Sequence, residues 1–213
     1  MQVKGGRVEL LVPHMLRGQL LRPGFVRLSL RLGLTRQMPA WAKLQFTNNG
    51  ITPADLDDVL GRITSLEGWA DEWERLGHRH ERDAVLADAD GDLAKGAQHR
   101  LWASAAYNFA QYVVFMDPAR KQELHRQCVR AYAAAAPHFE HPARMFEVEF
   151  RKRLVRGYLR QPAGDGPHPV VVIFNGTNGV KEELHAWADA YLERGMAVIT
   201  LDGPGLGETF HRL

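Results

Sequence analysis

Residues 170–183 read VVVIFNGTNGVKEE, and residues 197–208 read AVITLDGPGLGE. Each segment opens with five apolar or β-branched residues, and such a run is typical of a strand that is buried on both faces in a parallel sheet. Residues 181–194 carry apolar side chains at helical spacing, at Leu184, Trp187, Ala188 and Tyr191. Gly195 is a typical helix end. A strand, a helix and a second strand in close succession predict a βαβ unit with a right-handed crossover.

The chain before this unit predicts several helices. Thr52-Pro53 and Asp117-Pro118 each place a capping side chain before a proline at the first helical position. Another set of residues recurs at spacings of three and four, which places it on one helix face: Trp69, Trp73, Leu76, His80 and Ala84. Residues 101–116 are almost free of charge, and this predicts a helix that is buried on more than one side.

The period of the pattern changes after these helices. Apolar residues alternate with glutamates over residues 146–150, and residues 154–159 look like a second strand, which together predict a hairpin. We therefore expect an N-terminal segment and a helical domain in residues 1–141 and an α/β unit in residues 142–213. At the basic start of the chain, the alternation over residues 26–34 suits a strand.

The composition is that of an ordinary globular protein. The chain has 213 residues, of which 45% are hydrophobic and 24% charged, and its formal net charge is +2. This near-neutral charge gives no general attraction to nucleic acid, and no apolar run reaches the roughly 18 residues that would suggest a membrane span. The one cysteine, Cys128, permits no internal disulfide, which fits a reducing cytoplasm.

Two glycine-rich loops, at residues 175–179 and 202–208, follow the two predicted strands. Ligands of open α/β sheets bind beyond the carboxyl ends of the strands, so both loops are candidate sites. A phosphate loop is not favoured, because Lys181 lacks the preceding glycine of that motif. A dinucleotide site is weakly favoured, because the glycines have the wrong spacing and Pro204 lacks an N–H donor. Half of an oxyanion hole for acyl transfer and a pair of tight structural turns are the other interpretations.

These segments resemble the α/β-hydrolase superfamily, and more narrowly its branch with a helical N-terminal domain, which includes the FrsA-like esterases. The resemblance rests on the Lys-Glu-Glu segment 181–183, on the turn 202–208, and on Trp69 and Trp73 in the helical part. It covers about residues 50–209. It implies a serine hydrolase that cleaves esters, or C–C bonds beside a ketone, in a small-molecule substrate and without a cofactor.

The resemblance also implies where the negative charge of the reaction would be stabilised. A backbone N–H of Thr177 or Asn178 would supply one oxyanion donor, and the residue after the nucleophile would supply the other. The residues expected to support this site are Asn175, Gly176, Gly179, Asp202, Gly203 and Gly205.

The catalytic serine of that superfamily is not found in this sequence. The serines are Ser29, Ser65 and Ser104, and none of them lies in a G-x-S-x-G elbow. His211 comes too early for the chain order of serine, acid and histidine. We therefore assign no catalytic residue, and we expect an incomplete α/β-hydrolase sheet that follows a helical domain and is inactive alone. The alternative is a non-catalytic binding or interaction module built on the same fragment.

Missing strands would leave apolar surface in contact with water. The strand at residues 197–201 is expected to lack part of its cover, because the next strand of the sheet is not encoded here. Exposed apolar edges promote association, so an oligomer that forms through the sheet edge is a further expectation.

Two side-chain clusters each permit a functional and a structural interpretation. Trp69, Trp73 and Tyr107 could line a pocket between the domains, although an aromatic stripe of this kind more often belongs to the core. A second cluster combines histidines with an acid, at His78, His80, Glu81 and His99. Two histidines two positions apart do not share a helix face, so no metal site is expected.

Overall fold

The computed structural model describes residues 38–151, 153–176 and 179–211. The strand expected at residues 26–34 lies outside the described residues. Five helices come first: α1 (Ala40–Thr47), α2 (Pro53–Arg62), α3 (Leu66–Ala89), α4 (Leu93–Gln111) and α5 (Pro118–Ala135). A 3-10 turn (Ala136–His138) leads to β1 (Arg144–Phe150), β2 (Arg153–Arg160) and β3 (Val170–Phe174). A second 3-10 turn (Lys181–Leu184) precedes α6 (His185–Leu192), β4 (Ala197–Leu201) and the short α7 (Gly207–His211).

Helix starts follow the capping signals of the sequence. The Thr52 hydroxyl accepts a hydrogen bond from the Asp55 N–H at 3.1 Å, and the Asp117 carboxylate accepts one from the Arg120 N–H at 2.9 Å. Both predicted starts are confirmed. The helix predicted over residues 101–116 was wrong at both ends. Helix α4 begins earlier, at Leu93, and it ends at Gln111, so that Met116 lies outside the helix and is 95% exposed.

Aromatic side chains from three helices build the core of the helical region. Trp73 and Phe109 are fully buried, with ring centroids 5.2 Å apart. Phe46 of α1 stacks on Trp73 at 5.4 Å, with the ring planes 11° apart. Leu60 and Leu76 complete this cluster. The helices therefore enclose an apolar core of their own.

The four strands form one mixed sheet in the order β1-β2-β4-β3. β1 pairs with β2 antiparallel, β2 with β4 antiparallel, and β4 with β3 parallel. The hairpin and the parallel pair of the sequence prediction are both confirmed. The expectation that β4 lacks cover is wrong, because β4 lies between two strands and Val198 at its centre is fully buried. The two edges of the described sheet are β1 and β3.

The strand β3 differs from the sequence prediction in its burial. A strand buried on both faces was expected, but Val170, Val172 and Phe174 on one face are 56%, 47% and 60% exposed. The other face packs against α6, where Ala188 is fully buried. Trp187, predicted to lie on the buried face of that helix, is 54% exposed. Among the described residues, only one face of β3 is covered.

Candidate functional site

The loop after β3 is the first half of the candidate site. Thr177 and Asn178, the expected oxyanion donors, lie outside the described residues. On one side of them, the side-chain Nδ2 of Asn175 is buried and has no hydrogen-bond partner among the residues that the structure describes. On the other side, the Gly179 N–H donates to the Gly176 carbonyl at 3.1 Å. This turn brings an unused amide donor to the carboxyl end of β3.

Close packing explains the glycine at the end of this loop. A Cβ on Gly179 would lie 2.5 Å from Glu183 Oε1 and 3.0 Å from the side chain of Asn175. No side chain tolerates such distances from its neighbours. The glycine therefore lets the loop turn directly into the 3-10 segment that carries Glu183.

A buried ionic cluster joins this loop to the loop after β4. The side chain of Lys181 is completely buried, and its Nζ lies 2.6 Å from Glu208 Oε2, 2.7 Å from Glu182 Oε1 and 3.2 Å from Asp202 Oδ2. Nζ donates hydrogen bonds to Asp202 and Glu208. The carboxylate of Glu182 makes a close ionic contact with Nζ but no aligned hydrogen bond.

Asp202 lies at the centre of this buried cluster of Lys181, Glu182, Asp202 and Glu208, which we call the ionic joint. Its Oδ1 accepts the Lys181 backbone N–H at 2.8 Å, and its Oδ2 accepts the Glu208 N–H at 3.0 Å. The Thr209 hydroxyl donates to the Asp202 carbonyl at 2.7 Å. Gly207 has a φ of +43°, and a Cβ there would lie 2.3 Å from the Asp202 carboxylate. One buried aspartate thus fixes the backbone of both loops.

The two other glycines of the second loop have different surroundings. Gly205 has a φ of +85°, a conformation that favours glycine. A Cβ on Gly203 would make only ordinary contacts at 3.9 Å with Leu206 and Phe174. The strain-free turn at Gly205 carries the chain from Asp202 back to Glu208.

Electrostatics in this cluster follow from burial and from the single lysine. Burial raises the pKa of Glu182 to about 7. Burial would also raise the pKa of Glu208, but the cations Lys181 and Arg156 outweigh it and hold that pKa below its usual value. Burial opposes the charge on Lys181, but the three surrounding carboxyl groups raise its pKa well above the usual value. Near neutral pH a protonated Glu182 would leave two cations facing two carboxylates.

Sequence reasoning missed this joint. In the sequence, Lys181 and Glu208 stand out as parts of the two family motifs, and Lys181 also as a lysine that does not fit a phosphate loop. The available signal was a lysine in a loop after one buried strand and acids in the loop after the next. Those loops meet at the same sheet edge because β3 and β4 are parallel neighbours.

A second set of contacts anchors the first loop to the helical region. Glu183 Oε2 accepts hydrogen bonds from Asn108 Nδ2 at 2.6 Å and from the Tyr112 hydroxyl at 2.8 Å. Gln111 Nε2 in turn donates to Asn108 Oδ1 at 2.9 Å. Burial raises the pKa of Glu183, although these donors oppose the rise. The helical region therefore holds the 3-10 segment from one side while Asp202 holds it from the other.

The three predicted pocket residues lie in the helical region. Trp73 is fully buried in its core, and the Trp69 indole N–H donates to the Phe109 carbonyl at 2.8 Å. Tyr107 is also fully buried, and its hydroxyl donates to Glu81 Oε2 at 2.7 Å. The core role that the sequence left open as an alternative accounts for the burial of Trp73 and Tyr107.

The two described serines have structural contacts. Ser65 caps α3 by accepting the Gly68 N–H at 2.9 Å. The hydroxyl of Ser104 is buried and donates to the Cys128 carbonyl at 2.9 Å. Burial raises the pKa of the Cys128 thiol well above its usual value, so this thiol is a poor nucleophile.

An N-terminal helical region, a mixed sheet with the strand order β1-β2-β4-β3 and glycine-rich loops at the carboxyl ends of β3 and β4 define the α/β-hydrolase class. The chain belongs to the FrsA-like esterase family: the family model described as "Esterase FrsA-like" matches residues 54–212. The chain is 31% identical over 174 residues to a 2,6-dihydropseudooxynicotine hydrolase from Paenarthrobacter nicotinovorans. It is 26% identical over 198 residues to Esterase FrsA from Citrobacter koseri.

A solved structure supports the same assignment. The crystal structure of the 2,6-dihydroxy-pseudo-oxynicotine hydrolase matches with a TM-score of 0.70 and 31% identity over 81% of this chain. That match covers 48% of the solved chain. The match to the Paenarthrobacter hydrolase covers 82% of this chain and 46% of that relative. The match to the Citrobacter esterase covers 81% of this chain and 47% of that relative. The chain thus spans about half the length of the relatives it matches. None of the helices described between residues 38 and 211 has the length and apolar character of a membrane span.

Proposed function

We propose that this chain is the amino-terminal half of a serine hydrolase that acts on small-molecule esters or on C–C bonds beside a ketone. It would supply the helical region, the first four strands and one oxyanion donor from Thr177 or Asn178. The nucleophile, the acid and the histidine would come from the part of the fold that the relatives have beyond the matched residues. Alone, the chain is inactive.

The observation that carries this proposal is the edge strand. Among the described strands, β3 pairs only with β4, and three of its five side chains are about half exposed. A long apolar edge strand is a template for further strand pairing. The loop that follows this strand directly contains Asn175, whose side-chain amide nitrogen has no hydrogen-bond partner among the described residues. A strand added beside β3 would bring its own carboxyl end next to that loop.

A cavity between the α4–α5 connection and α7 is the proposed substrate region. Its volume is about 450 Å³. Val114 and Phe115 line it from the connection between α4 and α5, and Phe210 lines it from α7. Ligand sites are mostly apolar clefts between structural units, with few polar groups. Lys121, whose Nζ donates to the Gln111 carbonyl at 3.2 Å, is the charged residue of this lining.

Completion of the fold is the test. The chain is mixed with the carboxy-terminal half of the Paenarthrobacter relative, and hydrolysis of a short p-nitrophenyl ester is measured. We expect no turnover by either half alone and turnover by the mixture. Replacing the nucleophilic serine of the added half should abolish it. Turnover by the isolated chain, or no turnover by a mixture in which the halves bind each other, would refute the proposal.

Matched variants locate the contact. Val172 on β3 and Val85 on α3 are 47% and 63% exposed. Val172→Asp should lower the activity of the mixture at least about tenfold, because a buried unpaired carboxylate opposes the association. Val85→Asp should leave it unchanged, and neither change should affect the fold of the isolated chain.

The alternative is a non-catalytic interaction module that uses the same exposed face, including self-association through β3. The exposed Val170 and Phe174 favour it as much as they favour completion. Light scattering separates the two: a stable homo-oligomer that Val172→Asp dissociates, without ester hydrolysis in any mixture, supports the module. The single, buried Cys128 is compatible with the cytoplasm as the proposed location of either.

A further inference from the structure

The helical region contains a cluster of potential metal ligands that the hydrolase proposal does not use. His80 and Asp83 lie three positions apart on α3, and His99 faces them from α4. One ligand atom from each residue falls within 4.8 Å of the others. The sequence argument against a metal compared His80 with His78, whose Nδ1 instead lies 2.9 Å from the Tyr107 hydroxyl. The partner that matters comes from the neighbouring helix.

The two imidazoles are placed as ligands of one ion. Nδ1 of His80 and Nδ1 of His99 lie 3.2 Å apart. Two nitrogens on a tetrahedral zinc ion, each at about 2.0–2.1 Å, are separated by about 3.3 Å. The observed spacing therefore fits a shared cation without a change of backbone.

The carboxylate of Asp55 orients the buried ring of His80 through its other nitrogen, Nε2. Nε2 of His80 lies 3.2 Å from Asp55 Oδ2. A neutral ring with its proton on Nε2 donates to this carboxylate and presents the lone pair of Nδ1 to an ion. Metal-bound histidines commonly donate their other N–H to a carboxylate in this way. The ring of Trp102 packs against both imidazoles, with centroids 5.2 and 5.1 Å away.

We propose that His80, Asp83 and His99 form a binding site for a divalent transition metal ion such as Zn²⁺. Two imidazole nitrogens and one carboxylate oxygen suit zinc and its neighbours better than magnesium or calcium, which prefer oxygen ligands alone. The ion would link α3 to α4. The ion has a structural role, because it holds α3 and α4 together, and it takes no part in ester cleavage.

Zinc binding by the full chain tests this site. The chain is stripped with a chelator, and Zn²⁺ is titrated in competition with a chromophoric chelator. We expect one equivalent to bind and the melting temperature to rise with Zn²⁺ concentration. His99→Ala and Asp83→Asn should each weaken binding by about tenfold or more. His78→Ala is the control from the same helix and should bind as the unchanged protein does.

Each variant is first checked for its helical circular dichroism. Asp83→Asn keeps the shape of the side chain, so it tests the site even if a histidine variant fails to fold. Absence of stoichiometric Zn²⁺ binding by the unchanged chain would overturn the proposal. The proposal would also be overturned if His99→Ala and Asp83→Asn bound Zn²⁺ as tightly as the unchanged chain does. A loss of affinity in His78→Ala as large as in these two variants would overturn it as well.

Discussion

The helical region and the sheet region bury their apolar side chains to very different extents. Trp73, Phe109 and Leu76 have no exposed surface, because five helices enclose them. In β3, by contrast, Val172 and Phe174 are 47% and 60% exposed. The helical region therefore encloses a core of its own, whereas β3 is covered on one side only and the loops beside it are held by a buried ionic joint. A fold can be well packed in one part and open in another when the parts draw their cover from different stretches of chain.

The largest expected effect tests the self-contained helical core. Trp73→Ala removes a fully buried ring that packs against Phe46 and Phe109. It should lower the free energy of unfolding by about 3–5 kcal/mol. Trp187→Ala, at a tryptophan that is 54% exposed, should change it by about 0.5 kcal/mol or less. Urea unfolding followed by circular dichroism measures both, and similar losses would mean that the helical core is not the more complete one.

The next effect concerns the buried ionic joint between the loops after β3 and β4. Lys181→Met leaves Asp202 and Glu208 facing each other without their buried cation. We expect a loss of about 3 kcal/mol, because a buried charge network that loses one partner is strongly destabilised. Lys95→Met, at an exposed lysine on α4, is the control and should have little effect. A loss no greater than in the control would show that the carboxylates do not depend on Lys181.

The smallest effect concerns His185, which lies between the two regions. Its Nδ1 lies 3.0 Å from the Tyr132 hydroxyl of α5. Burial and the nearby charge of Arg160 lower the pKa of His185 to about 3. In the unfolded chain the pKa is about 6.5. Between these values the unfolded chain binds a proton that the folded chain rejects, so stability is full above about pH 6.5 and falls as the pH falls.

The expected slope is at most about 1.4 kcal/mol per pH unit below that point. Urea unfolding at about pH 7 and about pH 5.5 measures the change in stability, to which His185 should contribute a loss of roughly 1 kcal/mol. His185→Gln should lose less over the same interval, and the difference between the two proteins isolates this residue from the carboxylates. An equal loss in the variant would mean that His185 is accessible to protons in the folded state.

Several features of the fold could be predicted because they depend on neighbours in the sequence. Thr52 and Asp117 each accept a hydrogen bond from the backbone N–H three residues later, and the alternation of side chains in β1 and β2 follows from the pleat of each strand. The glycine loops and the Lys-Glu-Glu segment were enough to recognise the family. The exposure of β3 could not be predicted, since an apolar run does not specify whether one or both of its faces find cover.

The candidate site divides in the same way. The helix starts, the hairpin, the parallel strand pair and the absence of a nucleophile elbow from these residues can be read from the sequence alone, because each is a property of a short stretch. The folded chain was needed to show that β4 lies inside the sheet, that Lys181 meets Asp202 across 21 positions, and that His80 meets His99 across 19. Such contacts depend on how strands are ordered and helices are packed, and the free energy of those arrangements is a sum over the whole chain.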